Sequence, residues 1–181
     1  MRAHTKGKSK RGAALAAAAL IAVVVIGANA LPSTAQVSPP PIGTEVLTPT
    51  RATFTDDVSL KLKMKVDGEK TVIAKAKDAS RTVVARITVQ PGAQFPWHTH
   101  PGPVVANVAQ GKLTYVDAHD CAKRDYPAGT AFVDAGGDHV HNAFNRTDGP
   151  TVLVATFFGM PPAPNPLTIP ADPPADCVIN P

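Results

Sequence analysis

Outside one apolar run near its start, the 181-residue sequence has no long stretch of helical periodicity, which argues against a helix bundle. It contains no Gly-x-Ser-x-Gly, no His-Glu-x-x-His, no phosphate-binding glycine loop and no acid pair spaced for glycoside chemistry. Serine-hydrolase, zincin, nucleotide-binding and glycosidase readings therefore have no residues to rest on. Aromatic side chains make up 5% of the chain, and Trp97 is its only tryptophan. Two cysteines allow a single bridge. The first thirty residues hold no acidic side chain at all.

That last absence is informative because the same segment carries Arg2, Lys6, Lys8, Lys10 and Arg11, then the apolar run Ala13 to Ala28 and the small-residue site Ala28-Asn29-Ala30. This is the pattern of a secretory signal over residues 1–30, with Ser33-Thr34-Ala35 as a second cleavage site. The competing reading is an N-terminal membrane anchor, against which a sixteen-residue helix spans only about 24 Å of a roughly 30 Å hydrocarbon core. The expected location is secreted or extracytoplasmic, or membrane-anchored through the N-terminal apolar segment. The formal net charge of the chain is +4, but residues 31–181 hold thirteen basic against fourteen acidic side chains. The basic balance thus belongs to the leader, and no nucleic-acid partner is expected for the rest.

Cys121 and Cys177 both lie in the part expected to be exported, where disulfides persist, and are expected to pair. The alternative, a thiolate metal ligand beside His119, has one thiol and one imidazole to draw on. A Pro-rich linker is expected over residues 31–54, and a Pro-rich C-terminal strap over residues 161–181.

Between these ends the hydrophobic period is two. In Val58 to Val66, apolar residues alternate with Ser59, Lys61, Lys63 and Lys65, predicting a half-buried strand with a solvated lysine face. Further strands are predicted over Thr71 to Ala76, Thr82 to Val89, Val104 to Val108, Lys112 to Val116, Thr130 to Val133, Val140 to Phe144 and Thr151 to Phe158. Turn signals separate them, among them Asp67-Gly68, Pro91-Gly92, Gln110-Gly111 and Gly136-Gly137. Many short strands at this spacing make an all-β sandwich or barrel. Phe132, Phe144, Phe157 and Phe158 are expected to fill it.

Four of the six histidines fall in two His-x-His pairs, His98 with His100 and His139 with His141. Residues one apart on a strand share a face, so each pair can direct two imidazoles at one metal ion. Each pair also suits a polar strand end. Gln94 and Trp97 precede the first pair, an amide able to orient a ligand and an indole able to wall a pocket mouth.

These residues resemble the cupin superfamily, and in particular its small single-domain members. Gly92, His98, His100 and Gly111 occupy the positions of the first cupin motif. Pro127-Ala128-Gly129, Gly137, His141 and Asn145 match the second, with one extra residue before His141. The resemblance implies an all-β cupin-like jelly-roll barrel as a single domain over residues 55–160. It also implies a divalent metal (Fe, Mn, Zn, Ni or Cu) held by His98, His100 and His141, with His139 as a further candidate ligand. The family's glutamate ligand falls on Val104, which cannot ligate, and no carboxylate lies between His100 and Gly111 to replace it. Gln94, Trp97 and Val104 are the pocket candidates. The function implied is an exported metal-binding cupin with a small molecule at the barrel mouth. The alternatives are a metal-dependent oxygenase or isomerase and a metal-free sensing or structural module. A homodimer formed through an outer strand is a further implication of the family.

Overall fold

The computed structural model describes residues 41–65 and 70–179. The leader expected over residues 1–30 and the Asp67-Gly68 turn lie outside the described residues. Every regular element within them is a β-strand: β1 Ile42–Val46, β2 Leu60–Met64, β3 Val72–Ala76, β4 Thr82–Val89, β5 His98–Thr99, β6 Val104–Gln110, β7 Lys112–Asp117, β8 Lys123–Pro127, β9 Ala131–Asp134, β10 His141–Phe144, β11 Thr151–Phe158 and β12 Ile169–Pro170.

Two five-stranded antiparallel sheets, in the orders β1-β4-β11-β6-β9 and β12-β5-β10-β7-β8, form the jelly roll, and β2 and β3 pair as a separate hairpin. The alternation explains the packing. On β11, Thr151, Leu153, Ala155 and Phe157 are buried while the residues between them are half-exposed. The matching residues Val83, Ala85, Ile87 and Val89 of β4 and Val104, Ala106 and Val108 of β6 meet Leu113 and Ala143 of the other sheet in one apolar core. Burial of a side chain of this size contributes about 1.5–3 kcal/mol, so this core is the main stabilising element.

The second sheet has both faces covered. Trp97, Val116, Phe144 and Cys177 form a smaller cluster on its outer side. Phe144 therefore does not fill the barrel, and Phe158 alternates away from the core side taken by Phe157. The C-terminal strap lies over this outer cluster, bonded to Cys121 through the expected Cys121–Cys177 disulfide. A second tie is Arg51, whose buried guanidinium donates to the carbonyls of Pro161 and Asn165.

Part of the stretch expected as linker, residues 31–54, is a strand. Ile42–Val46 is an edge strand paired in full register with Val89–Ala85 of β4. Its alternating Ile, Thr and Val positions suit a pleated edge even though prolines precede them. The turn from β6 to β7 shows why glycine stands at Gly111: φ is +74°, and a Cβ there would sit 2.8 Å from the Pro150 carbonyl oxygen.

Candidate metal centre

Three strand ends bring the imidazoles together. His98 opens β5 and stands directly opposite His141, the first residue of β10. His100 follows β5, on the same side as His98 by strand alternation. All three are buried, and one ring nitrogen from each lies within 4.8 Å of those of the other two. The ring centroids are 4.2 Å apart for His98 and His141, 5.0 Å for His98 and His100, and 5.2 Å for His100 and His141.

The Nδ1 atoms of His98 and His100 are already committed. His98 Nδ1 lies 2.8 Å from the Pro96 carbonyl and His100 Nδ1 lies 2.9 Å from the Leu167 carbonyl. A carbonyl only accepts, so each Nδ1 carries the proton and each Nε2 keeps its lone pair. His141 Nδ1 lies 2.9 Å from Asp134 Oδ2. That contact is close but poorly directed along the N–H, leaving Nδ1 without a well-formed hydrogen bond. Carbonyl or carboxylate partners behind the imidazoles are the arrangement that orients histidine ligands toward a cation.

Burial, reinforced by the neighbouring His141, lowers the His98 pKa from 6.5 to about 4, and burial also lowers that of His100. Both rings are therefore neutral and basic at Nε2 at physiological pH, as ligation requires.

Asp134 is the residue that motif matching misses. It is 2% exposed, and burial alone would raise its pKa. Its contact with His141, the electrostatic influence of the His141 and His100 rings, and a 2.7 Å hydrogen bond from the Tyr115 hydroxyl outweigh burial and hold it well below the usual carboxylate range. The Tyr115 ring also stacks on His141 at 4.9 Å. Val104 pairs in register with Asp134, so the carboxylate missing from β6 is supplied one strand away, behind a ligand rather than as one. The available signal was parity: Asp134 shares a face with Phe132 at the end of an alternating strand.

Val104 does line the cavity beside the imidazoles, but two of the three pocket candidates do not. Gln94 bonds Asn142 Oδ1 at 3.2 Å, and Trp97 packs in the outer cluster. Both border a shallow surface depression with Ala171 and Pro173 beneath the strap. His139 also leaves the group. It belongs to the loop before β10 rather than to the strand, so the period-two argument fails for it, and its Nδ1 meets Asp117 at 3.1 Å. The cavity itself holds about 240 Å³, walled by apolar side chains such as Ile87, Leu113, Leu153 and Phe157, with the three imidazoles and Asp134 as its concentrated polar patch.

A family model described as the cupin domain matches residues 85–157. The chain carries a cupin domain. The matched stretch contains His98, His100, Asp134 and His141, so the imidazole group is internal to the cupin domain. Among solved structures, similarity extends to a conserved protein with a double-stranded β-helix domain from Klebsiella pneumoniae, at 26% identity over 41% of this chain and 64% of that one, with a TM-score of 0.38. The chain thus covers less than two thirds of that protein. The cupin domain of an XRE-family transcriptional regulator from Enterobacter cloacae is 15% identical over 67% of this chain and 99% of its own, with a TM-score of 0.43. Oxalate decarboxylase from Bacillus subtilis, described with Mn(II) centres, is 29% identical over 42% of this chain and 21% of its own, with a TM-score of 0.37. No curated protein matches the chain.

Proposed function

We propose that the protein is an exported cupin that holds one divalent metal ion on Nε2 of His98, His100 and His141 and receives a small, largely apolar molecule in the cavity beside it. The observation that carries this reading is the convergence of one ring nitrogen from each of the three buried imidazoles within 4.8 Å, with the Nδ1 atoms of His98 and His100 held by carbonyls and that of His141 facing Asp134. Three neutral imidazoles suit Fe, Mn, Zn, Ni or Cu and leave coordination positions open. A bound ion would supply Lewis acidity at those positions. The chain's own part is to orient the ligands, to place Asp134 as the nearest negative charge and to keep bulk water out with the apolar wall. The Cys121–Cys177 bridge supports an oxidising compartment.

The open cavity next to the imidazoles also favours a narrower reading, an oxygenase or isomerase acting on a small molecule, and the metal recovered after mild purification separates the two. Redox-active Fe or Mn supports the enzyme. For the site, His100→Ala and His141→Ala are expected to lose most of the bound metal while keeping the β-rich circular dichroism, whereas His139→Ala keeps the metal. Metal content unchanged in His100→Ala would overturn the assignment.

A further inference from the structure

The barrel interior does not end at the imidazoles. Tyr115 and Phe132 border both the metal-site cavity and a second chamber of about 260 Å³ on the side where β8 and β9 are the outermost strands of their sheets. The cross-strand pair Met64 and Val72 of the β2–β3 hairpin also lines this chamber. We propose that it is a separate binding site for a small aromatic carboxylate, with the ring among Tyr115, Tyr126 and Phe132 and the anionic group at the donors on the rim.

The walls select a ring. Both tyrosines of the chain are here. Tyr126 stacks on Phe132 at 4.6 Å, and Tyr115 lies 5.3 Å from Phe132, leaving aromatic faces and edges beside the apolar Met64 and Val72. A cavity of about 150 Å³ takes benzene, so this volume admits one ring with a short acidic side chain.

The rim selects the charge. Its carboxylates are already engaged by the protein. Asp117 holds His139 Nδ1 at 3.1 Å and accepts from the His119 backbone N–H at 2.8 Å, and Asp120 accepts from Arg124. The Tyr115 hydroxyl is spent on Asp134. What remains is mostly donor capacity. Lys70 has no ion pair among the described residues, and the Tyr126 hydroxyl and the His119 ring have no hydrogen bond among them. His139 lines the same rim, with its Nδ1 spent on Asp117. A site with engaged acceptors and available donors recognises an anion and disfavours a cation.

The test uses the whole protein with methyl-labelled methionine, cinnamate as the probe and cinnamamide as its uncharged counterpart. The Met64 methyl signal is expected to shift saturably with cinnamate, with affinity about tenfold weaker for the amide, the effect of losing a charge-assisted hydrogen bond. Lys70→Gln is expected to weaken cinnamate by a similar factor. Affinity should be equal in chelator and in added zinc, so the result stands even if the imidazoles bind no metal. No Met64 shift at millimolar cinnamate, or equal affinity for acid and amide, would overturn the proposal. So would binding that requires metal, which would move the ligand to the other cavity.

Discussion

Val104 shows how one side chain sets the character of the centre. It is 4% exposed and pairs with Asp134, so Val104→Glu would place a second carboxylate beside an ionised one inside an apolar wall. Without metal the pair must share a proton or repel, and the fold should lose several kcal/mol. With Mn or Fe the new oxygen joins three imidazoles, so the melting temperature should fall in chelator and recover on adding either ion. Loss that no metal reverses would count against the site. The depressed His98 pKa makes a second test. The folded state holds this ring neutral down to about pH 4, whereas the unfolded chain protonates near 6.5. Stability is therefore complete above 6.5 and declines as pH falls toward 4, by roughly 3 kcal/mol from this residue. Asp134 acts in the same direction further into acid, since its stabilisation is lost as pH falls below the unfolded carboxylate value. Chelator-treated protein melted across this range should show the decline, and a flat profile would contradict the buried, neutral ring. The three converging histidines were legible because spacing and residue type coincide. Asp134 was not, because a buried carboxylate behind a histidine has no motif.

Among the elements, those that alternate apolar and polar residues were legible, and the predicted spans of β4 and β11 match the observed ones. Of the missed strands, β1 does alternate but follows a run of prolines that reads as linker, and the others lack the pattern for separate reasons. In β8, Lys123–Pro127, Tyr126 is the only large apolar side chain; β5 and β12 are two residues each. The short pair matters most to function. Ile169 pairs with Thr99 and Pro170 with His98, and the Leu167 carbonyl holds His100 Nδ1, so the strap expected from composition also orients two of the three imidazoles. Its anchor is the bridge between Cys121 and Cys177, closing a sequence separation of 56 residues. Replacing both cysteines with serine is expected to cost about 4 kcal/mol by the loop-entropy relation. Metal affinity should fall with it, because the strap loses its fixed end. A variant that melts earlier yet binds metal as tightly as the parent would mean that Arg51 and the pairing of β12 with β5 suffice to hold the strap.

At the scale of the whole molecule, charge and redox state belong to one argument. Residues 2–11 carry five basic side chains, and the remainder from residue 31 is nearly neutral, so the protein changes from cationic to slightly anionic if the leader is removed. A disulfide persists in an oxidising compartment, and under the export proposed above the basic segment and apolar run would supply the route there. The two features are independent: the bridge depends on Cys121 and Cys177 meeting across the second sheet, the leader on the first thirty residues alone. Protein recovered from an exporting host should have an intact mass beginning at Leu31 or Gln36, focus on the acidic side of neutrality and show no alkylatable thiol before reduction. An intact mass that includes Met1 together with a formed bridge would mean export with the apolar segment retained as an anchor. Two free thiols with the leader still attached would place the chain in a reducing compartment, and then the strap, and with it the orientation of His100, would lack the covalent tie.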